Sequence, residues 1–262
     1  ADLPAPRCQG GPSVDGASVA APGRADVACD LASGPLPEGL LEGCSCVVHL
    51  AADGRPSADF LRDVVPNNIV ATYHVLEAAR RAGVRRVVFA SSNHTQHGET
   101  MARGSPGGMD LARLEALGGP ASVSASDPLS RVGPDSFYAV SKLCGESLGY
   151  LYSRVFGAFE FVALRIGWCL YDDATALRGS DCEDYLRAMW LSRRDFRGFL
   201  RGALTCDLTG PDRRGFLVAY AVGPNGRRLF DLGPSVAALG YAPQDDAEQH
   251  FAAVDARGRD HG

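Results

Sequence analysis

The chain reads as an α/β protein built on a parallel, doubly wound sheet, and three observations carry that expectation. Short continuous apolar runs recur along it, they alternate with longer stretches of helical periodicity, and turn residues separate the two kinds of segment. Cys44 to Ala52 (CSCVVHLAA) suits a first buried strand, bounded by Gly43 and by Asp53-Gly54. Val64 to Ala82 follows as a helix, with Ile69, Tyr73, Leu76 and Ala79 at three-to-four spacing and Gly83 as its stop. Arg85 to Ser91 is a second buried strand, which completes a strand–helix–strand unit and hence a parallel pair. From Glu99 to Pro134 the composition turns to Gly, Ser, Pro and Ala, and 99–134 reads as an inserted surface loop. Phe137 to Phe156 is a second long helix, Glu160 to Ile166 a third strand and Asp181 to Ala203 an Arg-rich helical stretch. Phe216 to Val222 supplies another strand, and Ser235 to Leu239 a short helix ending at Gly240.

Composition narrows the function. The 262 residues are 45% hydrophobic and 22% charged, as in one soluble domain with a sizeable core. A net charge of −5 gives no basic field for a phosphate backbone or an anionic lipid surface, so nucleic acid and membrane are not expected partners. No apolar run approaches the roughly 18 residues of a membrane helix. The eight cysteines are scattered without the dense pairing of a small secreted scaffold, so reduced thiols are expected, and Cys44 and Cys46 read as core residues rather than zinc ligands. Of the 26 basic residues a single one, Lys142, is lysine.

That lysine lies in the sharpest motif, Tyr138-Ala139-Val140-Ser141-Lys142. At i and i+4 of a helix, Tyr138 and Lys142 share one face, and a nearby ammonium favours the ionised form of a phenol that is otherwise a poor base at neutral pH. Upstream, the second strand runs into Ser91-Ser92-Asn93-His94, which puts hydroxyls, an amide and an imidazole at a strand's carboxyl end, where open α/β sheets bind ligands. His94 and His97 are three apart but have no partner cluster, so no metal site is expected.

Together these residues resemble the extended branch of the short-chain dehydrogenase/reductase superfamily, the NAD-dependent epimerases, dehydratases and dehydrogenases. Val47 to Ala52 looks like that branch's fourth strand, Asn68 to Ala79 like its next helix, and Cys29-Asp30-Leu31 like the segment that holds the adenine. Within the branch the likeness is greatest to uronate dehydrogenases. It is carried by Phe89 to Thr95, by Arg165-Ile166-Gly167 with Cys169, by Trp190-Leu191-Ser192 with Asp195-Phe196, and by Leu239 to Asp245. The resemblance implies a Rossmann-like fold and NAD as cofactor. It also implies oxidation of the anomeric carbon of galacturonate or glucuronate to the aldarolactone, with Ser92, Tyr138 and Lys142 catalytic. Asp2, Asp30, Leu31, Leu50, Ala51, Ala52, Asn68, Ile166 and Cys169 would contact the cofactor with Tyr138 and Lys142, while Ser92, Asn93 and His94 would line the sugar pocket. A uronate carboxylate wants an arginine fork, and Arg178 and Arg187 both fall in the stretch where the family places one. The sequence does not choose between them, and for each a surface ion pair is the other reading.

Two departures qualify the likeness. No Gly-rich turn follows a first strand, and Ala1-Asp2-Leu3 resembles the end of the family's second strand. The chain is therefore read as one Rossmann-like domain over 1–262 that lacks the first phosphate-binding βα unit. The loop at 99–134 is longer than the family pattern. A nucleotide-sugar epimerase or dehydratase, and a non-catalytic relative that keeps the scaffold, are the alternatives. A cytoplasmic enzyme is expected, paired with a second copy through the two long helices.

Overall fold

A computed structural model describes residues 27–55, 58–98, 132–170, 172–176, 178–180 and 183–259. Four strands stand side by side in chain order and all parallel: β1 (Cys46–His49), β2 (Arg86–Ser92), β3 (Glu160–Ile166) and β4 (Phe216–Ala221). The register places Val87 opposite Phe161, Phe161 opposite Phe216, and Ser92 opposite Ile166, so β2 and β3 end together.

Alternate side chains of these strands feed two cores, as a sheet covered on both faces requires. On one face Val87, Phe89, Phe161, Ala163, Phe216 and Val218 pack against α1 and α3. Here α1 comprises a widely wound π-type segment, Phe60–Val70, continued by Ala71–Arg81, and α3 is Phe137–Tyr150 continued by Leu151–Val155. On the other face Val88, Val162, Leu164, Ala219 and Ala221 meet Phe199, Ala203, Ala238 and Leu239. Those come from α5 (Arg193–Thr205) and α6 (Gly233–Leu239), while α2 (His94–His97), α4 (Glu183–Met189) and α7 (Ala247–Arg259) complete the element order. The expected doubly wound parallel sheet is observed.

Several elements differ from expectation for physical reasons. β1 is shorter than Cys44 to Ala52, because its ladder to β2 runs only from Cys46–Arg86 to His49–Phe89. Among the described residues it has no partner on its other side, which leaves Val48 and Leu50 exposed, Cys44 exposed and Cys46 half-buried. The expectation of a buried strand with core cysteines is corrected accordingly; all six described cysteines are free thiols, as expected. α1 starts at Phe60 rather than Val64 because Asp59 caps it, accepting from Arg62 N–H at 2.8 Å. Its wide first turns, with Val64 N–H reaching Asp59 C=O at 3.0 Å, carry the chain past Pro66 and shift the buried face. Asn68, Thr72, Val75, Leu76 and Ala79 point inward, whereas Tyr73 is 46% exposed.

The helical stretch expected over 181–203 is made of two helices. Trp190, Leu191 and Ser192 run extended between α4 and α5: Trp168 N–H donates to Met189 C=O, and Leu191 N–H to Trp168 C=O. Ser192 then caps α5, accepting from Asp195 N–H at 3.0 Å. α7 has no counterpart among the expected elements. Of the inserted loop only 132–134 lies among the described residues, yet its two ends are joined. Gly98 N–H donates to Gly133 C=O at 2.7 Å and Gly133 N–H to Thr95 C=O at 2.9 Å. A Cβ on Gly98 would sit 2.7 Å from that carbonyl oxygen, so glycine permits the closure.

The contact that sets α3 on the sheet is tighter still. A Cβ added to Gly145 would collide with the Phe89 ring, and one on Gly149 with the Phe161 ring. Both rings are fully buried and have nowhere to move. Gly149→Ala is therefore expected to destabilise the protein by about 2 kcal/mol or more through overpacking, measured as a lower urea midpoint at an unchanged slope.

Candidate active site

The close seat of α3 determines what its inward face presents. Ser136 caps the helix, accepting from Ala139 N–H at 3.2 Å, and from that start Tyr138, Lys142 and Glu146 follow at i, i+4 and i+8 along one side. Glu146 lies deepest, 1% exposed, and holds Arg165 of β3 in a two-pronged pair, with Nε–Oε1 at 2.9 Å and Nη2–Oε2 at 2.7 Å. Ser91 Oγ donates to the same carboxylate, and Arg165 Nη1 to Tyr220 Oη at 3.3 Å. The pair is fully satisfied, as an internal ion pair must be to repay its desolvation.

Lys142 comes next toward the sheet's end and is 3% exposed. Its Nζ lies 5.1 Å from the centre of the Phe89 ring and 5.3 Å from that of Tyr138, and no acceptor among the described residues hydrogen-bonds it. Burial pulls its pKa down to about 8. Tyr138 sits at the mouth, its hydroxyl close enough to that of Ser92, at the end of β2, for the two to interact. Burial pushes that phenol up to about 12, the Ser92 hydroxyl opposing the rise and Cys169 and Asp135 adding to it. Ser92, Tyr138 and Lys142 thus converge, as the sequence leads one to expect, where β2 and β3 end.

Beyond Ser92, α2 turns three more side chains into a buried network. Asn93 Nδ2 donates to His97 Nε2 at 2.6 Å and to Tyr185 Oη at 3.1 Å. Tyr185 Oη also lies 3.1 Å from His94 Nε2. His94 Nδ1 in turn donates to Asp135 Oδ2 at 2.6 Å. Burial by itself raises Asp135, but hydrogen bonds from His94 and Ser136 more than offset it and hold the carboxyl below the ordinary range. The sequence reading named Asn93 and His94 here. It missed Tyr185 and Asp135, and it weighed His97 only as a metal ligand. Asp135 could have been found three residues before Tyr138 at the helix entry, whereas Tyr185, 92 residues from Asn93, carries no local pattern.

The remaining candidates fall into distinct places. Leu50, Ala51 and Ala52 form an exposed ledge beyond β1, and the chain then passes the site, where a Cβ on Gly54 would lie 4.0 Å from the Tyr138 ring. Asn68 pins this ledge: it accepts from Asp53 N–H at 2.7 Å and donates to Asp53 C=O and to Ser141 Oγ, each at 3.0 Å. Its amide is committed to holding the loop against α3. Ile166 ends β3 and Cys169 follows it, both half-buried, and burial pushes the Cys169 thiol up. Asp30 is exposed and accepts from Ala32 N–H, and Leu31 C=O bonds His74 Nδ1 at 2.8 Å. Asp2 lies outside the described residues.

Neither candidate arginine is brought to Ser92 and Tyr138. Arg178 pairs with Asp255 on α7. Arg187 is held by Glu183 and Glu248 and lies 4.1 Å from the centre of the Phe251 ring, two residues along α4 from Tyr185 and so on the opposite side of that helix. Both are surface ion pairs, the other reading that the sequence left open.

A family model described as the NAD dependent epimerase/dehydratase family matches residues 16–168, more than half of the chain. The chain belongs to that family. An L-arabinose 1-dehydrogenase (NAD(P)(+)) of Haloferax volcanii is 39% identical over 210 residues, which are 79% of this chain and 76% of that one. A uronate dehydrogenase of Pseudomonas putida is 30% identical over 242 residues, 92% of this chain and 76% of that one. Among solved structures, a mutant uronate dehydrogenase from Agrobacterium tumefaciens complexed with NAD superposes with a TM-score of 0.62 at 26% identity, covering 87% of this chain and 72% of that one. The epimerase/dehydratase fold, an enzyme of the extended short-chain type and NAD as cofactor agree with the sequence expectations, and the relatives support a sugar dehydrogenase.

The residues present fit the nicotinamide ribose of a dinucleotide: a buried ammonium with no acceptor among the described residues suits ribose hydroxyls.

The buried imidazoles give this site a pH signature. Burial lowers His97 to about 3 and His49, hydrogen-bonded to Thr72 Oγ1 at 3.0 Å, to about 4, while the unfolded chain titrates each near 6.5. Below 6.5 the unfolded state therefore takes up protons that the folded state refuses. Stability is expected to be full above pH 7 and to fall as the pH drops from 6.5 toward 5, with a limiting slope of about 2.7 kcal/mol per pH unit for the two groups. Urea unfolding across that range checks this, and His97→Gln should remove about half of the slope.

Proposed function

We propose that this chain oxidises the anomeric carbon of a cyclic sugar to its lactone, with Ser92, Tyr138 and Lys142 as the catalytic residues. The observation that supports it is the convergence of the Ser92 and Tyr138 hydroxyls, with Lys142 one helical turn behind, at the carboxyl end of β2. Ser92 holds the C1 hydroxyl, and Tyr138 Oη takes its proton. NAD, when bound, would supply the hydride acceptor and a positively charged ring. By itself the chain keeps the Tyr138 proton firmly in place, since burial outweighs the help of Ser92, so the phenolate forms only with positive charge alongside. Lys142, buried at one end of the site, is placed to hold the ribose and to add to that field.

Two substrate classes have support. The resemblance to uronate dehydrogenases, the first of them present at 30% identity, favours galacturonate or glucuronate and an aldarolactone product. An uncharged aldose is favoured by the placement of Arg178 and Arg187, which the sequence offered as carboxylate ligands and which instead hold α4 and the chain before it to α7. The likeness to an L-arabinose 1-dehydrogenase agrees with the second. Pairing of two copies through α1 and α3 draws support from the exposed Leu61, Tyr73, Phe137, Val140, Leu151 and Val155 on those helices.

The test is NADH formation with L-arabinose, galacturonate and glucuronate. Tyr138→Phe is expected to lower kcat by about a thousandfold or more while the circular dichroism spectrum and melting temperature hold. A variant as active as the parent overturns the assignment. Arg187→Ala is expected to lower the melting temperature without changing KM for any sugar, and a KM raised for the uronates alone would return Arg187 to the substrate.

A further inference from the structure

Lys142 and Glu146 stand one turn apart on the same buried face of α3, 3% and 1% exposed. Residues at i and i+4 carry their Cβ atoms about 5–6 Å apart, and side chains on a helix lean toward its N-terminus, so the Glu146 carboxylate leans over the turn that bears Lys142. In so dry a place an ammonium and a carboxylate one turn apart attract strongly. Yet the two go separate ways. Lys142 Nζ reaches toward Tyr138, one turn nearer the helix start and 5.3 Å from its ring centre, and finds no acceptor among the described residues. Glu146 turns to β3, where Arg165 takes both its oxygens, Nε to Oε1 at 2.9 Å and Nη2 to Oε2 at 2.7 Å, and Ser91 Oγ adds a third bond at 2.5 Å. Arg165 is itself fixed from behind by Tyr220, whose Oη accepts from Nη1 at 3.3 Å. The carboxylates on the other elements packed against α3 are engaged elsewhere: Asp63 with Arg62, Glu77 with Arg80 and Tyr152, Glu160 with Arg86, and Asp135 with His94. His97 on α2 is kept neutral by burial, and His49 at the end of β1 by burial and the Lys142 charge. Among the described residues Glu146 is thus the carboxylate placed to capture Lys142.

We propose that Arg165 is a positioning residue that keeps Glu146 off Lys142, so that the ammonium stays free to take the cofactor's ribose hydroxyls. The inference rests on the dehydrogenase reading, in which Lys142 holds the ribose. Stability gives little reason for a charged pair here, since apolar side chains of the same volume commonly match or exceed an internal ion pair. What the guanidinium supplies and an apolar residue lacks is the stronger claim on the carboxylate, two parallel bonds against the single point charge of an ammonium. Without it, Glu146 swings to Lys142 and draws the ammonium down the helix, away from Tyr138. The lysine then binds its proton more tightly, because a carboxylate alongside offsets the burial that pulls its pKa down to about 8.

The experiment follows the 13Cε resonance of Lys142 against pH, in protein grown on labelled lysine and free of cofactor, and measures NAD affinity by titration calorimetry. Arg165→Met is expected to raise the Lys142 midpoint by about two pH units and to weaken NAD binding about tenfold. Adding Glu146→Leu removes the captor, and the double variant is expected to bring the midpoint back to within about half a pH unit of wild type and to recover most of the NAD affinity. Arg165→Gln keeps a hydrogen bond to Glu146 without the charge. It is expected to give a smaller rise in the same direction, and it supplies the test if Arg165→Met does not fold. A pair that is only structural makes a different forecast: the midpoint stays where it is, and the double variant binds NAD no better than the single one. Either result overturns the role of Arg165 and leaves the dehydrogenase reading standing. A wild-type protein that neither binds NAD nor forms NADH with any sugar overturns that reading and the ribose role with it, while the lysine titration still decides whether Arg165 keeps Glu146 away.

Discussion

The seat of α3 on the sheet is the constraint from which the rest of the site follows. Gly145 and Gly149 let the helix backbone rest on the Phe89 and Phe161 rings, closer than any side chain would allow. At that distance the face bearing Tyr138, Lys142 and Glu146 is pressed against β2 and β3. Glu146 reaches Arg165, Lys142 is trapped between two aromatic rings, and Tyr138 meets Ser92. An ordinary helix–sheet separation would loosen all three contacts together. The ion pair below and the meeting of Tyr138 with Ser92 above are therefore consequences of one packing choice made by two hydrogen atoms where methyl groups would otherwise stand.

The parts of this architecture that depend on local pattern were legible in the sequence. β3 runs over Glu160–Ile166 as its apolar run predicts, and Tyr138 and Lys142 share a helix face because four residues make about one turn. What stayed hidden depends on long-range partners. The exposure of Cys44 and Val48 comes from a sheet edge, which no periodicity in Cys44 to Ala52 could reveal. The phase of α1 was misread at Tyr73 because its first turns are wide, and residue spacing presumes a regular helix. Tyr185 and Asp135 belong to the site only because α4 and the entry to α3 close over α2. Arg187 shows the converse: its position in the chain suited a ligand, but side-chain direction on α4 carries it to Glu248 instead.

The residues that carry the family likeness late in the chain turn out to be scaffold. Asp195 is fully buried and accepts from Tyr241 Oη and from the N–H groups of Gln244 and Asp245, while Ser192 donates to the Asp245 carboxylate. One carboxylate thus ties the segment after α6 to the start of α5. Asn225 does similar work, donating to Ala188 and Trp190 carbonyls and accepting from Ala247 N–H. These junctions fix the end of α4, and hence Tyr185, without touching the chemistry. Likeness in such a motif speaks for the shape of the site's wall rather than for what the site binds.

The solitary lysine has a practical side. Every other basic side chain in the 262 residues is an arginine, and guanidinium groups are inert toward the acylating and reductive-alkylating reagents that attack amines. The one ε-amine in this sequence stands inside the cleft, with its proton held loosely enough that the neutral, nucleophilic form exists in mildly alkaline buffer. The molecule thus carries a built-in reporter: an isotope-labelled methyl tag on Lys142 would give one side-chain resonance, read without background from any other side chain, from the buried face that α3 turns toward β2.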